Sequence, residues 1–363
     1  MTKDIEQKLT LDQPATYEIK VPGQLDERWS EWDGKMKITV TSEGDGPPVT
    51  TLTGSFDQAA LQGLLRRLYA MRQIAGWIAV AFSIAITCFW AFWGIIENFH
   101  EGWYYGTLLS NLGLMFFQYL SPMLIFLALA LISIFWPRLG GGLHVAIAVF
   151  AAGFFRAFTN AATFLLIVPL IGLGALYWFG RPQPRKLAAM VAVGLPILTL
   201  TISGIEPVLR VSQRVDDGNL QARVVFGNGV QLVWAPDGPG WPRTGTNWYE
   251  AQQACQYLSE DGLSVTATPQ HIWRLPEVDE AVRSMARHGK NSGGVWDGEI
   301  AEASYQTTPD KESPLWNVHS QVIYWWTATE VDEEKAYIIV YDGKVWERSK
   351  QFGPAYLGFR CVK

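Results

Sequence analysis

Hydrophobic and polar positions divide the chain into a polar stretch to residue 72, an apolar stretch over 73–204 and a second polar stretch over 205–363. Between Gln73 and Ser203 only seven side chains are charged, namely Glu97, Glu101, Arg138, Arg156, Arg181, Arg185 and Lys186. The whole chain holds 29 basic and 34 acidic residues, so charge is concentrated in the two flanks. Uncharged runs of this length fit the roughly 20 residues that a helix needs to cross a bilayer core. The first run is Gln73–Ile96, with Trp77, Trp90 and Trp93 near its ends, where interfacial aromatics collect. The second is Thr107–Trp136, with Pro122 as a candidate kink. The third, Leu143–Gly180, would be about 57 Å long as one helix, nearly twice the core thickness. It therefore reads as a hairpin turning near the polar interruption Arg156–Asn160. The last run is Leu187–Ser203.

Five spans place Arg66, Arg67 and Arg72, then Arg138, then Arg181, Arg185 and Lys186 on one side of the membrane, as the positive-inside rule asks. Four spans would put the last cluster on the opposite side. The expectation is a plasma (inner) membrane protein with its N-terminus cytoplasmic and its C-terminal region extracytoplasmic. The chain start shows no basic segment followed by a short apolar core and small-residue cleavage site, so the first apolar run reads as a retained anchor. No Asp or Glu lies deep in any run, which argues against a proton or cation relay; Arg156, Asn160 and Gln118 are the polar groups left there.

The N-terminal stretch, 1–72, reads as a small α/β domain. Tyr17–Val21, Met36–Thr41 and Val49–Thr53 alternate with period two, and a turn-rich segment, Glu43–Pro48, precedes the third. Asp57 can cap a helix whose Ala60, Leu61, Leu64, Leu65 and Leu68 share one face. The string from Tyr17 to Leu68, with its Gln24-Leu25…Trp29 strand exit and its Leu52-Thr53-Gly54…Asp57-Gln58-Ala59-Ala60-Leu61 helix entry, resembles a short cytoplasmic domain of uncharacterised bacterial proteins. That resemblance carries no activity. Trp29, Trp32 and Gln58 are candidates for function there, although paired tryptophans beside a small sheet more often cover its core.

The C-terminal stretch carries 15 basic and 21 acidic residues over 204–363. Val224–Trp234 reads as two strands around Asn228-Gly229. Thr246–Leu258 reads as a helix with Trp248, Ala251, Cys255 and Leu258 on one face, Ile272–Pro276 as a short strand and Glu277–Met285 as a second helix. A loop-rich segment follows to Ser320. Val322–Thr327, Ala336–Tyr341 and Leu357–Val362 read as closing strands, with Asp342-Gly343 as a turn.

Two helices, a loop-rich middle and closing antiparallel strands resemble the C-type-lectin-like fold. The carrying residues are Trp248, Ala251 and Cys255, then Trp273-Arg274-Leu275-Pro276 with Glu280, then Tyr324-Trp325-Trp326-Thr327-Ala328-Thr329-Glu330, and the terminal Arg360-Cys361-Val362-Lys363. In order and spacing they resemble the bacterial branch represented by the C-terminal domain of the Legionella collagen-like adhesin (DUF1566), across about 140 residues. The resemblance implies a disulfide between Cys255 and Cys361, hence an oxidising compartment. Closing so long a loop is worth about 4–5 kcal/mol in the chain-entropy account. Cys88 sits inside the first apolar run and reads as an inert apolar residue.

The net charge of −5 argues against nucleic acid as a partner. The oxygen-ligand motifs of calcium-dependent lectins are incomplete, because Trp316-Asn317 is followed by Val318. The related formylglycine-generating enzymes need reactive cysteines, and the implied disulfide uses both. His271, His288 and His319 lack metal-site spacing, and no Gly-x-Ser-x-Gly elbow occurs. Acidic pairs such as Asp297/Glu299 and Asp332–Glu334 read as solvated loops. No cofactor, metal site or catalytic residue is expected. What remains is binding, with Trp296, Asp297, Glu299, Tyr305, Trp316, Asn317 and His319 as candidate ligand residues, suited to stacking and hydrogen bonding on a sugar or peptide. Trp273, Trp325, Trp326 and Trp346 are assigned to the core.

The sequence thus describes a multidomain membrane protein: a small N-terminal α/β domain, a helical transmembrane bundle of about five spans over 73–204, and a C-terminal α+β C-type-lectin-like domain over 205–363. Its expected role is non-enzymatic recognition of a glycan, cell-wall component or protein at the cell surface, with membrane lipid as solvent and a homo-oligomer left open. The alternatives are a sensor relaying ligand binding to the N-terminal domain, and a small channel or transporter with accessory end domains.

Overall fold

The computed structural model of the chain describes residues 14–22, 36–41, 48–155, 161–298 and 303–363. They divide into two compact units, one made of residues up to Ser83 together with Leu129–Ala192, the other of Ile84–Ala128 together with Val193–Lys363.

In the first unit, β1 (Ala15–Pro22), β2 (Met36–Thr41) and β3 (Val49–Phe56) form an antiparallel sheet in the order β1-β3-β2. On β3 the inward residues Thr50, Leu52 and Phe56 are buried, as period-two alternation requires. Helix α1 (Gln58–His100) starts directly behind it, where the Asp57 side chain accepts the Ala60 amide at 2.7 Å. Leu64 completes a core of four buried residues with Met36, Leu52 and Phe56, and Ala60, Leu61 and Leu68 pack around it. The capping helix and the first apolar run are one unbroken 43-residue helix rather than two elements.

Helix α2 (Leu108–Leu114) runs into a π-helical turn, Met115–Tyr119, and then into α3 (Ser121–Phe135), with a 59° bend at the break. The bend falls just before Pro122, which lacks an amide for the preceding turn. Helix α4 (Pro137–Phe154) begins six residues earlier than the apolar pattern suggested, taking in the Gly140-Gly141-Gly142 run. Here glycine serves close packing: a Cβ at Gly141 would come within 2.7 Å of the Gly174 carbonyl in α5 (Ala161–Phe179). Gly141 against Gly174 and Trp178 sets α4 and α5 antiparallel. The turn expected at Arg156–Asn160 lies outside the described residues. Helix α6 (Arg185–Ser212) follows. Three of these helices, α1, α4 and α6, are long and apolar enough to cross a membrane, and a fourth span results if the bent α2–α3 pair counts as one.

In the second unit, β4 (Arg223–Phe226) pairs with β5 (Gln231–Trp234) around Asn228-Gly229. Helix α7 (Trp248–Gln256) is capped by Asn247, whose side chain accepts the Glu250 amide at 3.0 Å. It buries Trp248, Ala251 and Cys255 together. Residues expected to form a strand at Ile272–Pro276 make only a bridge, Arg274 to Val362. Helix α8 (Val278–Ser284) carries a capping box between Glu277 and Glu280. A two-residue ladder, β6 (Ala286–Arg287) with β7 (Lys290–Asn291), comes next. The closing sheet has the order β10-β9-β8-β11, with β8 (Tyr324–Glu330), β9 (Lys335–Val340), β10 (Val345–Ser349) and β11 (Leu357–Gly358). The chain end Cys361–Lys363 pairs back onto Val233 and Ala235 beside Arg274. Cys255 and Cys361 are joined in a disulfide with Cα atoms 5.6 Å apart. Trp273, Trp325 and Trp326 are fully buried, as their core assignment required, and Trp346 packs at the core edge.

Candidate functional site

The seven candidate ligand residues fall into two groups with different surroundings, both inside the second unit. Trp296 and Asp297 follow Val295 and Tyr305 follows Ser304, on either side of the antiparallel bridge between Val295 and Ser304. Trp296 is half-buried, edge-on to Tyr337 with ring centroids 5.5 Å apart. Asp297 is exposed. The Tyr305 hydroxyl donates to the Gly343 carbonyl at 2.9 Å, and burial pushes its phenol pKa upward. Glu299, the fourth member of this group, lies outside the described residues, as do Arg156, Asn160, Trp29 and Trp32.

Trp316, Asn317 and His319 have other neighbours. Trp316 is 3% exposed and stacks on Trp325 at 3.7 Å and 11°. Its ring faces are spent on the core, which corrects its reading as an exposed stacking platform. The Asn317 side chain accepts the His319 amide at 2.8 Å, forming a local turn. The His319 ring lies 3.3 Å from the Tyr104 carbonyl and 3.2 Å from an Asp216 carboxylate oxygen. Gln321 donates to the Tyr104 hydroxyl at 2.8 Å. This end of the domain is therefore fastened to the segment that follows α1. Of the acidic pairs read as solvated loops, Asp332 is a turn cap, accepting the amides of Glu334 and Lys335 at 2.8 Å each.

A buried cluster of charged groups was not visible in the sequence. Asp310, Lys311, Glu312 and Ser313 are four consecutive buried polar residues. The Asp310 carboxylate accepts from Arg214 at 2.8 and 3.1 Å and from Arg287 at 2.7 Å, and Arg210 lies 3.4 Å away. Burial works to raise the Asp310 pKa, and the Arg214 and Arg210 guanidiniums overcome it and hold it below the ordinary carboxylate range. Glu312 accepts the Val215 amide at 3.0 Å and the His288 amide. Ser313 exchanges hydrogen bonds with Asp217. The fully buried Lys311 ammonium donates to the Ser320 carbonyl, and burial, reinforced by Arg214, lowers its pKa to about 7.

Around this knot the ends of two apolar helices are tied to the sheet. Arg210 of α6 donates to the Tyr341 hydroxyl at 2.9 Å. His100, the last residue of α1, has Nδ1 at 3.0 Å from the same hydroxyl and Nε2 at 3.4 Å from the Tyr324 hydroxyl. Arg210 can only donate, so the Tyr341 hydroxyl oxygen is the acceptor in that bond. A run such as Asp-Lys-Glu-Ser reads as solvated loop by composition. Only the three arginines that meet it, Arg210 and Arg214 from the end of α6 and Arg287 from β6, turn it into an internal knot.

A second buried cation, Arg360, donates to the carbonyls of Ala235, Pro314 and Leu315 at 2.8, 3.0 and 2.6 Å and lies 3.5 Å from the Trp241 ring centroid. The terminal Arg-Cys-Val-Lys motif therefore joins the first strands of the domain to its loop-rich middle. Among the described residues no group of three His, Cys, Asp or Glu side chains is arranged to hold a metal ion. The polar clusters here organise and fasten.

Residues 16–72, the three-stranded sheet and the first turns of α1, match a family described as a domain of unknown function, DUF8691. No curated protein and no solved structure matches the chain.

Proposed function

We propose that this chain is a multipass membrane protein of about five spans that holds a C-type-lectin-like domain, residues 205–363, on the extracytoplasmic face as a non-enzymatic recognition module. Support for the fold comes from the Cys255–Cys361 bond, the return of the chain end to β5, and two helices preceding a closing sheet. The observation that carries the function is the set Trp296, Asp297 and Tyr305 beside the Val295–Ser304 bridge, with Trp296 edge-on to Tyr337, Tyr305 bonded to Gly343 and Asp297 exposed. An aromatic edge beside a carboxylate suits a glycan, a cell-wall fragment or a peptide. The test screens the full chain, in detergent, against glycan, peptidoglycan and peptide arrays with calcium and with chelator. Chelator-insensitive binding that falls at least tenfold in Trp296→Ala and in Asp297→Ala supports the reading. Loss of binding only in variants that also unfold the domain, or no binding by the intact oxidised protein, overturns it.

A second reading, a sensor, is favoured by one observation. The α1 helix is continuous from Gln58 to His100, and its last ring is hydrogen-bonded into the sheet at Tyr341. Ligand-dependent change in the protease sensitivity of residues 14–57, abolished by Tyr341→Phe, would favour sensing over display.

A further inference from the structure

We propose that the first unit carries a binding site for an anionic phospholipid, built from α1 and the loop between α5 and α6; this rests on the reading of these helices as membrane-embedded. The loop is fixed on α1 by four hydrogen bonds: Arg181 amide to Arg72 carbonyl at 2.7 Å, Arg72 Nε to Phe179 carbonyl at 3.2 Å, and Gln73 and Trp77 side chains to the Gln183 carbonyl at 2.9 Å each. The approach is close enough that a Cβ on Gly76 would collide with the backbone at Arg181-Pro182. It brings Arg72 and Arg181 together where the loop meets α1, with Arg185 and Lys186 opening α6 directly after it. Arg72, Arg181 and Lys186 are exposed, and Arg185 keeps a buried Nε that no described group accepts. No Asp or Glu occurs in 58–83 or 129–192, so the helical part of this unit offers these cations no carboxylate.

An open, mostly apolar face of α1 runs from this end, formed by Ala70, Gln73, Ile74, Trp77, Ile78 and Ala81. From Ala70 to Ala81 it extends about 16 Å at 1.5 Å per residue. That matches one leaflet of a hydrocarbon core about 30 Å thick. Polar Gln73 and the basic cluster lie towards one end, and Ile78 and Ala81 towards the other. A charged head with an acyl tail fits both ends at once; a free anion uses only the first. Clustered Lys and Arg beside a membrane helix attract anionic headgroups by about a factor of five per charge.

Membranes holding the full chain are first washed with alkaline carbonate; release of the protein would overturn the membrane reading itself. Retained protein is delipidated in detergent and titrated with phosphatidylglycerol, phosphatidylcholine or inorganic phosphate, with bound lipid counted by native mass spectrometry and melting followed in parallel. The expected result is retention and thermal protection by phosphatidylglycerol over phosphatidylcholine, falling by about twentyfold in Arg72→Gln/Arg181→Gln, since two exposed guanidiniums are removed. Ala81→Phe, which puts a bulky ring on that face without changing charge, should also lower retention. Equal retention of both lipids, an unchanged double variant, or protection by inorganic phosphate equal to that by phosphatidylglycerol would overturn the site.

Discussion

The sheet at the start of the chain and the domain at its end are both built largely from antiparallel strands, yet they are held together differently. The first has one buried face and a core of four residues, one of them, Leu64, borrowed from α1. The second encloses stacked tryptophans, a disulfide across 106 residues, and charged groups that are buried and satisfied, such as Asp310 and Glu312. A small sheet exposes too much of its surface to stand on burial alone and depends on the helix that continues from it. The larger domain excludes water well enough that its polar contacts become specific internal fasteners, each costly to leave half made.

Removing the disulfide should break this contrast most sharply. Cys255→Ser/Cys361→Ser is expected to cost the C-terminal domain about 4–5 kcal/mol by the loop-closure account. Denaturant titration with hydrogen exchange read at β8 and β9 measures it, and exchange at β3 should stay unchanged. Leu64→Ala tests the opposite side. It should cost about 2–5 kcal/mol as a buried leucine truncation. With so small a core, that loss should expose the β3 amides while β8 and β9 remain protected.

The smallest effect separates the two regions by pH. Lys311 has a folded pKa of about 7 against an ordinary value of 10.5. Below pH 7 it is charged whether folded or unfolded, and the cost of burying the charge is fully present. Between these values the unfolded chain holds a proton that the folded chain has released, so stability rises with pH. The expected gain from pH 7 to pH 9 is about 2–3 kcal/mol. Lys311→Met should flatten it, read as the slope of melting temperature against pH at β8 and β9. A slope that survives in Lys311→Met would assign it to another group.

Much of the architecture was legible along the chain because it depends on short-range periodicity. Period-two alternation placed β1 to β3, and helical spacing placed Trp248, Ala251 and Cys255 on the buried face of α7. Among the described residues, the apolar runs overlap α1, α4 and α6, which are long enough to span by themselves, and the bent α2–α3 pair. The glycine run in the first turns of α4 was illegible, since Gly140 and Gly141 answer to Ser133 and Gly174, which lie elsewhere in the chain. The candidate site was less legible. Aromatic residues in a loop-rich segment look alike in sequence, yet Trp316 stacks inside the core and Trp296 stands at its edge.

The sequence by itself determined the apolar runs, the strand and helix periodicities and the cysteines available for a bond, because each is a property of neighbouring residues or of composition. Tertiary structure alone decided that Asp310, Lys311 and Glu312 are internal, that Arg210, Arg214 and Arg287 meet there, and that Arg72 and Arg181 share one end of a helix pair. A charged side chain carries no local mark of its eventual partner. Whether it is solvated, paired or buried follows from the distant residues that the fold brings within a few ångströms, and from the water that their packing excludes.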